Sequence, residues 1–515
     1  MQLRVEWVLV IFLIATGVCL RFAWLDRKVY WYDEAFTSLE ISGYSPQDAS
    51  TDILSGRVVT ASELEKYQFP SAASPKSVRD TVQNLIVQEP QLTPLYFIVL
   101  RGWSELFPNS VAAIRVLSAL FSVATLALAF WLCRELFSTR VALTAVALMS
   151  ISPLLLLYAQ EARPYSMWSA AVLMTSSVLL LAMRRKTVPS WALYALCAAV
   201  SLYTFLFSAL VIAGHACFVA VDQRFRITST VRSFCISVAL AVASFLLWPY
   251  RGQHSGAGNE HYSLSQYGTK WIRSIAILFA DFNFRDTTPK PLLLPYALLL
   301  LALLALCAYS IYFMWRNATR KQAAFVLTLI GSLCLSLLLL DVVRGSSVSV
   351  VTRYTLPSLI GIQLAVAYML VAKTAESSPN RTRWTWRCVA AMLAVIGLFS
   401  CWTLARADVW WSKEPQNYIQ SASRVINAAP EPVVVLSDTW FIPVLSLEHK
   451  LRPDVRYLLT VEPRVPQIQE SAATIFVFQP SAHLRMELEK YYPLVLLDPA
   501  ANLWRLSTGA RPSVH

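Results

Sequence analysis

Apolar side chains run long enough to cross a bilayer near 5–23, 111–133, 139–158, 164–183, 189–206, 207–222, 232–249, 291–315, 323–341, 354–372 and 387–404. A helix spanning ~30 Å of hydrocarbon needs about 20 such residues, so the pattern predicts about eleven crossings, with 189–222 tight for two. A further run, 92–107, is shorter and is interrupted by Arg101 and Glu105. It predicts an amphipathic helix lying on the membrane surface. Between 42 and 88 the chain is rich in Ser, Pro, Ala and charge, which predicts loop with short helices. From 405 to 515 the pattern changes: short strand-like runs at 432–438, 455–461, 474–479 and 494–497 alternate with helix-like stretches at 417–428 and 482–491. The expected architecture is therefore a polytopic α-helical membrane protein, 1–404, whose first outer loop is 24–110. A small extramembrane α/β domain, 405–515, follows it.

Charge orients this arrangement. With 92–107 on the surface and the N-terminus cytoplasmic, one side of the membrane collects Arg134 and Arg140, then Arg184, Arg185 and Lys186, then Arg224, Arg226 and Arg232. Arg316, Arg320 and Lys321 follow on that side, and finally Lys373, Arg381, Arg383 and Arg387. All are basic, as the positive-inside rule requires; counting 92–107 as a crossing reverses every one. The C-terminal domain is then extracytoplasmic. Arg4 followed by the apolar run from Trp7 to Leu20 has the shape of a signal peptide. Bulky Phe22, Trp24 and Leu25 follow it with no small-residue cleavage site, so a retained anchor is expected.

Composition agrees. Of 515 residues 56% are hydrophobic and 15% charged, against about 25% charged in soluble domains. The net charge of +13 comes from short basic clusters between apolar runs, which excludes a nucleic-acid partner and points to membrane lipids. All nine cysteines lie in or beside apolar segments, as small core residues do, which argues against disulfides and zinc sites.

Few groups on the outer side can do chemistry. Asp33 and Glu34 lie between aromatic residues just past the first run, and Glu40 and Glu89 share their loop. Thr93-Pro94-Leu95-Tyr96 opens the surface helix and Arg115 begins the second crossing. Gln160-Glu161-Ala162-Arg163-Pro164-Tyr165-Ser166 forms a short turn. Arg251, His254, Glu260 and His261 occupy a later loop, and Arg353-Tyr354 opens the tenth run. Each has an ordinary reading: loop acids are solvated, Arg115 and Arg353 snorkel to headgroups, and Arg163 balances Glu161 at a helix end. Together they permit a sharper one. Arginines at the membrane surface grip a lipid phosphate, and a carboxylate at the same level accepts a proton from a hydroxyl.

Five motifs, in order, resemble a known group. Trp31-Tyr32-Asp33-Glu34-Ala35-Phe36 follows the first run, Leu92-Thr93-Pro94-Leu95-Tyr96 opens the surface helix, and Arg115-Val116-Leu117-Ser118-Ala119-Leu120-Phe121 begins the second crossing. The Gln160–Ser166 turn and Thr352-Arg353-Tyr354-Thr355-Leu356-Pro357 complete the set. This order is similar to that of the GT-C membrane glycosyltransferases, which include dolichyl-phosphate-mannose protein mannosyltransferases, lipid A aminoarabinose transferases and bacterial family 39 relatives. The resemblance covers roughly 1–404. It departs at 92–96, where the relatives' His-Pro-Pro pattern lacks its histidine and one proline. Metal binding there is in doubt, and Glu89 is the nearby substitute.

The resemblance implies an enzyme of the bacterial inner membrane. It would transfer a sugar from a polyprenyl-phosphate donor to a hydroxyl of a lipid, glycan or protein acceptor, on the non-cytoplasmic face and with inversion. Asp33 is then the candidate general base. Glu34 orients Asp33 or, with it, ligates a divalent metal, and Arg163, Arg353 and Arg115 neutralise the departing lipid phosphate. Tyr32, Glu89, Tyr96, Glu161, Tyr165 and Tyr354 complete the candidate site. Two alternatives stay open. One is a glycan ligase or oligosaccharyltransferase using a lipid pyrophosphate. The other is a transporter or flippase, which would bury its ionisable groups mid-span rather than at helix ends.

Overall fold

Every one of these apolar runs is helical in the computed structural model of the chain, which describes residues 2–70, 75–249, 262–284, 289–466, 468 and 474–507. Among the described residues six helices are long and apolar enough to cross a membrane alone: Val111–Leu136, Tyr165–Arg185, Lys290–Asn317, Arg320–Arg344, Thr352–Thr374 and Asn380–Lys413. Trp7–Phe22, Val188–Thr204, Ser208–Asp222 and Ser229–Phe245 are shorter and equally apolar. The chain divides into two compact units: Met1–Leu25, Glu89–Tyr96 and Arg115–Arg406 form the first, and Asp26–Gln88, Phe97–Ile114 and Ala407–His515 the second.

The first unit is the helical one, and it departs from the expected pattern at 139–158. That run is two helices, Thr139–Ser150 and Pro153–Ala159, bent by 64°. Pro153 causes the break: it has no N–H to continue the ladder, and it suits the first position of a new helix. The bend strips carbonyls of their partners inside an apolar unit, where each unpaired one is costly. Arg21 resolves this. Fully buried in the first helix (Gln2–Phe22), it donates to the carbonyls of Ser150 (2.7 Å) and Met149 (3.0 Å), to Gly17 O (2.7 Å) and to Ser122 Oγ (2.9 Å). Glycine at 17 allows the approach, because a Cβ there would lie 2.2 Å from Ser150 O.

The second unit is built on a six-stranded sheet. Its strands are β1 (Val58–Thr60), β2 (Val433–Ser437), β3 (Arg456–Leu459), β4 (Thr474–Phe478), β5 (Leu494–Asp498) and β6 (Leu503–Leu506), in the order β1-β3-β2-β4-β6-β5. β2 pairs in parallel with β3 and β4, and all five of its residues are buried, as a central parallel strand requires. Val434, Leu436, Ile475 and Val477 pack with Leu484 and Leu488 of the Ala482–Glu489 helix. The β5–β6 pair is antiparallel across the Asp498–Asn502 turn, where Asp498 Oδ1 accepts from the N–H groups of Ala500 and Ala501.

The other sheet edge comes from the first loop. β1 lies antiparallel on β3, with Val58 opposite Leu458 and Thr60 opposite Arg456. Loop residues 26–88, grouped with the membrane portion when only hydropathy is considered, thus share a unit with the tail. The expected surface helix is Leu95–Leu106, about 18 Å long at 1.5 Å per residue and too short to cross. Its Arg101 does not reach toward headgroups. It is buried, donates to Ile41 O (2.7 Å) and Lys76 O (2.8 Å), and pairs with Glu105 (2.9 Å), closing the first loop.

Candidate functional site

The candidate residues fall into two groups, one in each unit. In the second unit, Trp31 is extended (φ −88°, ψ 171°) and the chain turns directly into the helix Tyr32–Ser42, with Asp33 and Glu34 in its first turn. Carboxylates are favoured there by the exposed N–H groups and the helix dipole. The helix stops at Gly43, whose φ of +84° suits glycine, and a Cβ there would press Lys76 Cβ at 2.9 Å.

The structure separates the two acids. Glu34 is fully buried, and its Oε2 lies 3.0 Å from Nζ of Lys413, itself 0% exposed. The ammonium also reaches Val29 O (3.5 Å) and stands 5.9 Å from the Trp31 ring. Asp33 is half-buried, and its main-chain carbonyl accepts from Thr37 Oγ1 (2.8 Å). Tyr32 donates its N–H to Gln416 Oε1 (2.6 Å). Around this first turn the rings of Tyr32, Phe36 and Trp440 cluster: Tyr32 to Phe36 is 6.2 Å, Tyr32 to Trp440 is 5.5 Å and Phe36 to Trp440 is 6.2 Å. Trp440 keeps 42% of its surface exposed.

A divalent ion does not fit at Glu34, because an ammonium already neutralises that carboxylate and would repel a second cation. Among the described residues no group of three or more His, Cys, Asp or Glu side chains is placed to hold a metal. Sequence reasoning missed Lys413, Gln416 and Trp440. The signal for Lys413 is the same one that exposed the acid pair: Trp410-Trp411-Ser412-Lys413 is a charge beside aromatic rings just past an apolar run.

The second group belongs to the first unit. The Gln160–Ser166 turn is anchored by the Gln160 side-chain amide, which donates to Leu20 O and Ala23 O at 2.9 Å each. Arg163 N–H closes back on Glu161 O (2.8 Å), and Pro164 precedes the Tyr165–Arg185 helix. This geometry puts the Arg163 guanidinium 6.0 Å from the Tyr165 ring centre. Arg353, from a helical turn at Thr352–Thr355, comes to 5.9 Å of the same ring and 5.5 Å of Tyr354. Two guanidiniums therefore converge on one tyrosine, within cation–π range. Phe205 braces both tyrosines, 5.8 Å from Tyr165 and 5.9 Å from Tyr354. Arg163 and Glu161 are buried, while Arg353 is partly exposed.

The remaining candidates stand elsewhere in that unit. Arg115 is fully buried and spends one nitrogen on Leu25 O (2.6 Å), holding the chain where the first helix ends. Tyr96 is buried, its hydroxyl 3.3 Å from Ser118 Oγ, and Ser118 in turn donates to Arg163 O (3.5 Å). Glu89 accepts from the side-chain amide of Gln91. Arg251, His254, Glu260 and His261 lie outside the described residues.

Comparison with known proteins bears on the fold. Residues 89–248 match the family model described as dolichyl-phosphate-mannose-protein mannosyltransferase. No curated protein matches the chain by sequence. The fold is similar to that of ArnT from Cupriavidus metallidurans, solved bound to undecaprenyl phosphate: TM-score 0.52, 11% identity, covering 98% of each chain. The apo state of the same protein gives TM-score 0.52 and 12% identity over 98% of each chain. An oligosaccharyltransferase of Archaeoglobus fulgidus in complex with Zn and sulfate matches at TM-score 0.48 and 9% identity, covering 96% of this chain and 72% of that one. The chain has the GT-C fold, in agreement with the resemblance carried by its motifs.

Proposed function

We propose that this GT-C chain is an inverting glycosyltransferase that takes a sugar from a polyprenyl phosphate and passes it to an acceptor hydroxyl on the non-cytoplasmic side of the membrane. The observation that carries this reading is the pair Arg163 and Arg353 on the Tyr165 ring. Two arginines set at the head of an apolar helix bundle make a receptor for an anion attached to a lipid. The undecaprenyl phosphate bound by the Cupriavidus ArnT supports the lipid class.

In the proposed reaction the acceptor oxygen bonds to the anomeric carbon while the bond from that carbon to the phosphate oxygen breaks. The electron pair leaves with the phosphate, whose charge Arg163 and Arg353 offset. Asp33 takes the acceptor's proton. The sugar passes through an oxocarbenium-like state, and opposite-face attack needs no covalent intermediate. Glu34, tied to Lys413, fixes the helix turn that carries Asp33. The rings of Tyr32, Phe36 and Trp440 offer an apolar face for a sugar or acceptor to lie on. No step is assigned to a metal.

The test offers purified protein a panel of radiolabelled polyprenyl-phosphate sugars and follows hydrolysis or transfer. Release of sugar from one lipid phosphate, and not from a lipid pyrophosphate or a sugar nucleotide, is the expected result. Turnover of only the pyrophosphate donor would instead identify an oligosaccharyltransferase-type enzyme.

A further inference from the structure

Asp341 is the sole acid of the apolar helix Arg320–Arg344, and it is buried. A carboxylate at that depth is costly unless donors surround it. Four do. Oδ1 accepts from Ser346 Oγ (2.6 Å) and from the N–H of Val348 (2.8 Å). Oδ2 accepts from the N–H of Ser349 (2.8 Å) and from the phenol of Tyr267. The helix has already stopped at Gly345 (φ +66°), so these bonds fold the next residues back over its end. The backbone carries that fold onward. Val351 N–H donates to Val348 O (3.2 Å) and Tyr354 N–H to Val351 O (2.9 Å), two linked tight turns that lead into Arg353.

Tyr267 belongs to the amphipathic helix Leu264–Ala276, which is hydrogen-bonded to the same stretch again. The Tyr267 hydroxyl lies 2.8 Å from Ser349 Oγ. Ser274, seven residues on and therefore on the same helix face, has its Oγ 2.7 Å from Thr352 Oγ1, next to Arg353. Just past the end of this helix, Ile277 O accepts from the N–H of Leu154 (3.2 Å) and Leu278 O from Gln363 Nε2 (3.3 Å). Leu154 opens the helix Pro153–Ala159, which runs directly into the Gln160–Ser166 turn and Arg163. One strap, 264–278, is thus bonded to both segments that bring an arginine to the Tyr165 ring.

We infer that Asp341 and Tyr267 are positioning residues for the anion site, holding Arg353 at its distance from Arg163; this rests on the phosphate role proposed above for the two arginines. They act through Arg353 and not on the ligand. Charge-assisted bonds to a phosphate demand close geometry, so the spacing of the two guanidiniums decides how well both engage it. Asparagine at 341 keeps one acceptor oxygen and turns an NH₂ toward the other pair of donors, which loses two of the four bonds. Tyr267→Phe is gentler: it removes the phenol and leaves the carboxylate its three other donors.

Binding of undecaprenyl phosphate to the full-length protein in detergent, read by native mass spectrometry, tests this as a double-mutant cycle. Asp341→Asn and Tyr267→Phe should each weaken binding about 2- to 10-fold. In the Arg353→Ala background neither should weaken it further, because the guanidinium they place is gone. A residue that only supports the fold lowers affinity by the same factor in both backgrounds, and that outcome overturns the inference. So does wild-type affinity in both single variants. If Asp341→Asn fails to fold, Tyr267→Phe carries the cycle alone. Failure of the parent reading looks different: wild type that takes up no undecaprenyl phosphate, or Arg353→Ala that binds it normally, removes the phosphate site and the inference with it.

Discussion

Replacing Lys413 by methionine keeps most of its length and removes its charge, leaving the Glu34 carboxylate without the ammonium that now lies 3.0 Å away. Both side chains are 0% exposed, so water cannot substitute. Breaking one side of a buried ion pair costs about 3–5 kcal/mol, whereas replacing both partners by neutral groups of similar volume is often neutral or stabilising. The second unit comprises Asp26–Gln88, Phe97–Ile114 and Ala407–His515, a size at which 1 kcal/mol moves a melting temperature by about 2–4 °C. Lys413→Met should therefore lower the melting transition of that unit by roughly 10 °C. Glu34→Gln/Lys413→Met should recover most of the loss. Thermal scans of wild type, both single variants and the double variant form the cycle that isolates the pair. A single variant that melts like wild type, or a double variant no better than Lys413→Met, would show that the pair does not hold the helix turn carrying Asp33.

Other predictions follow from the geometry. Asp33→Asn should leave a folded protein that binds donor lipid and turns over about 10²- to 10⁴-fold more slowly, read as kcat in the transfer assay; near-normal transfer would remove it as the base. Arg163→Ala or Arg353→Ala should instead weaken donor binding by roughly tenfold or more, and Arg163→Lys should restore it only in part, since one ammonium does not reproduce a planar fork. Burial, aided by the charge of Glu65, pushes the Glu448 carboxyl up to about 7. The folded state thus holds a proton that the unfolded chain releases near its ordinary value of 4.5, so the stability this group gives is complete below that value and is lost as pH rises through about 7. Unfolding measured across pH 5 to 8 should show that decline in wild type and a flatter curve in Glu448→Gln. Gly17→Ala would set a methyl 2.2 Å from Ser150 O, forcing the first helix off the Arg21-capped break; a loss of about 1–3 kcal/mol, seen as a lower melting temperature, is expected.

Much of the helical unit is legible in the chain because a bilayer imposes one strong constraint, length of apolar run, and each run is helical. The break at Ile151–Ser152 was readable in principle from Pro153, but hydropathy averages across it. β2 and β4 stand out as short β-branched and aromatic runs. β1 does not: Val58-Val59-Thr60 is a strand only because β3 pairs with it, and no local signal reports a partner that distant. β6 is similar, since Trp504 and Arg505 blur its apolar pattern. Of the candidate residues, Asp33, Arg163 and Arg353 carried motif signals. Lys413 carried none beyond its aromatic neighbours, because a lysine in a polar stretch reads as solvated until its partner, 379 residues away, is placed beside it.

The pairing of β1 with β3 also sets an order of events in time. Val58 leaves the ribosome about 400 residues before its partner Leu458, an interval of roughly 20–80 s at ordinary rates of synthesis. During it the first loop has emerged with one sheet edge and nothing to lay it on, while the apolar helices between are still being made. The sheet closes only after the last of them. A chain halted at Arg406 would keep every helix of its first unit and still leave Val58–Thr60 as an open edge, the state most exposed to proteolysis and to pairing with the wrong strand.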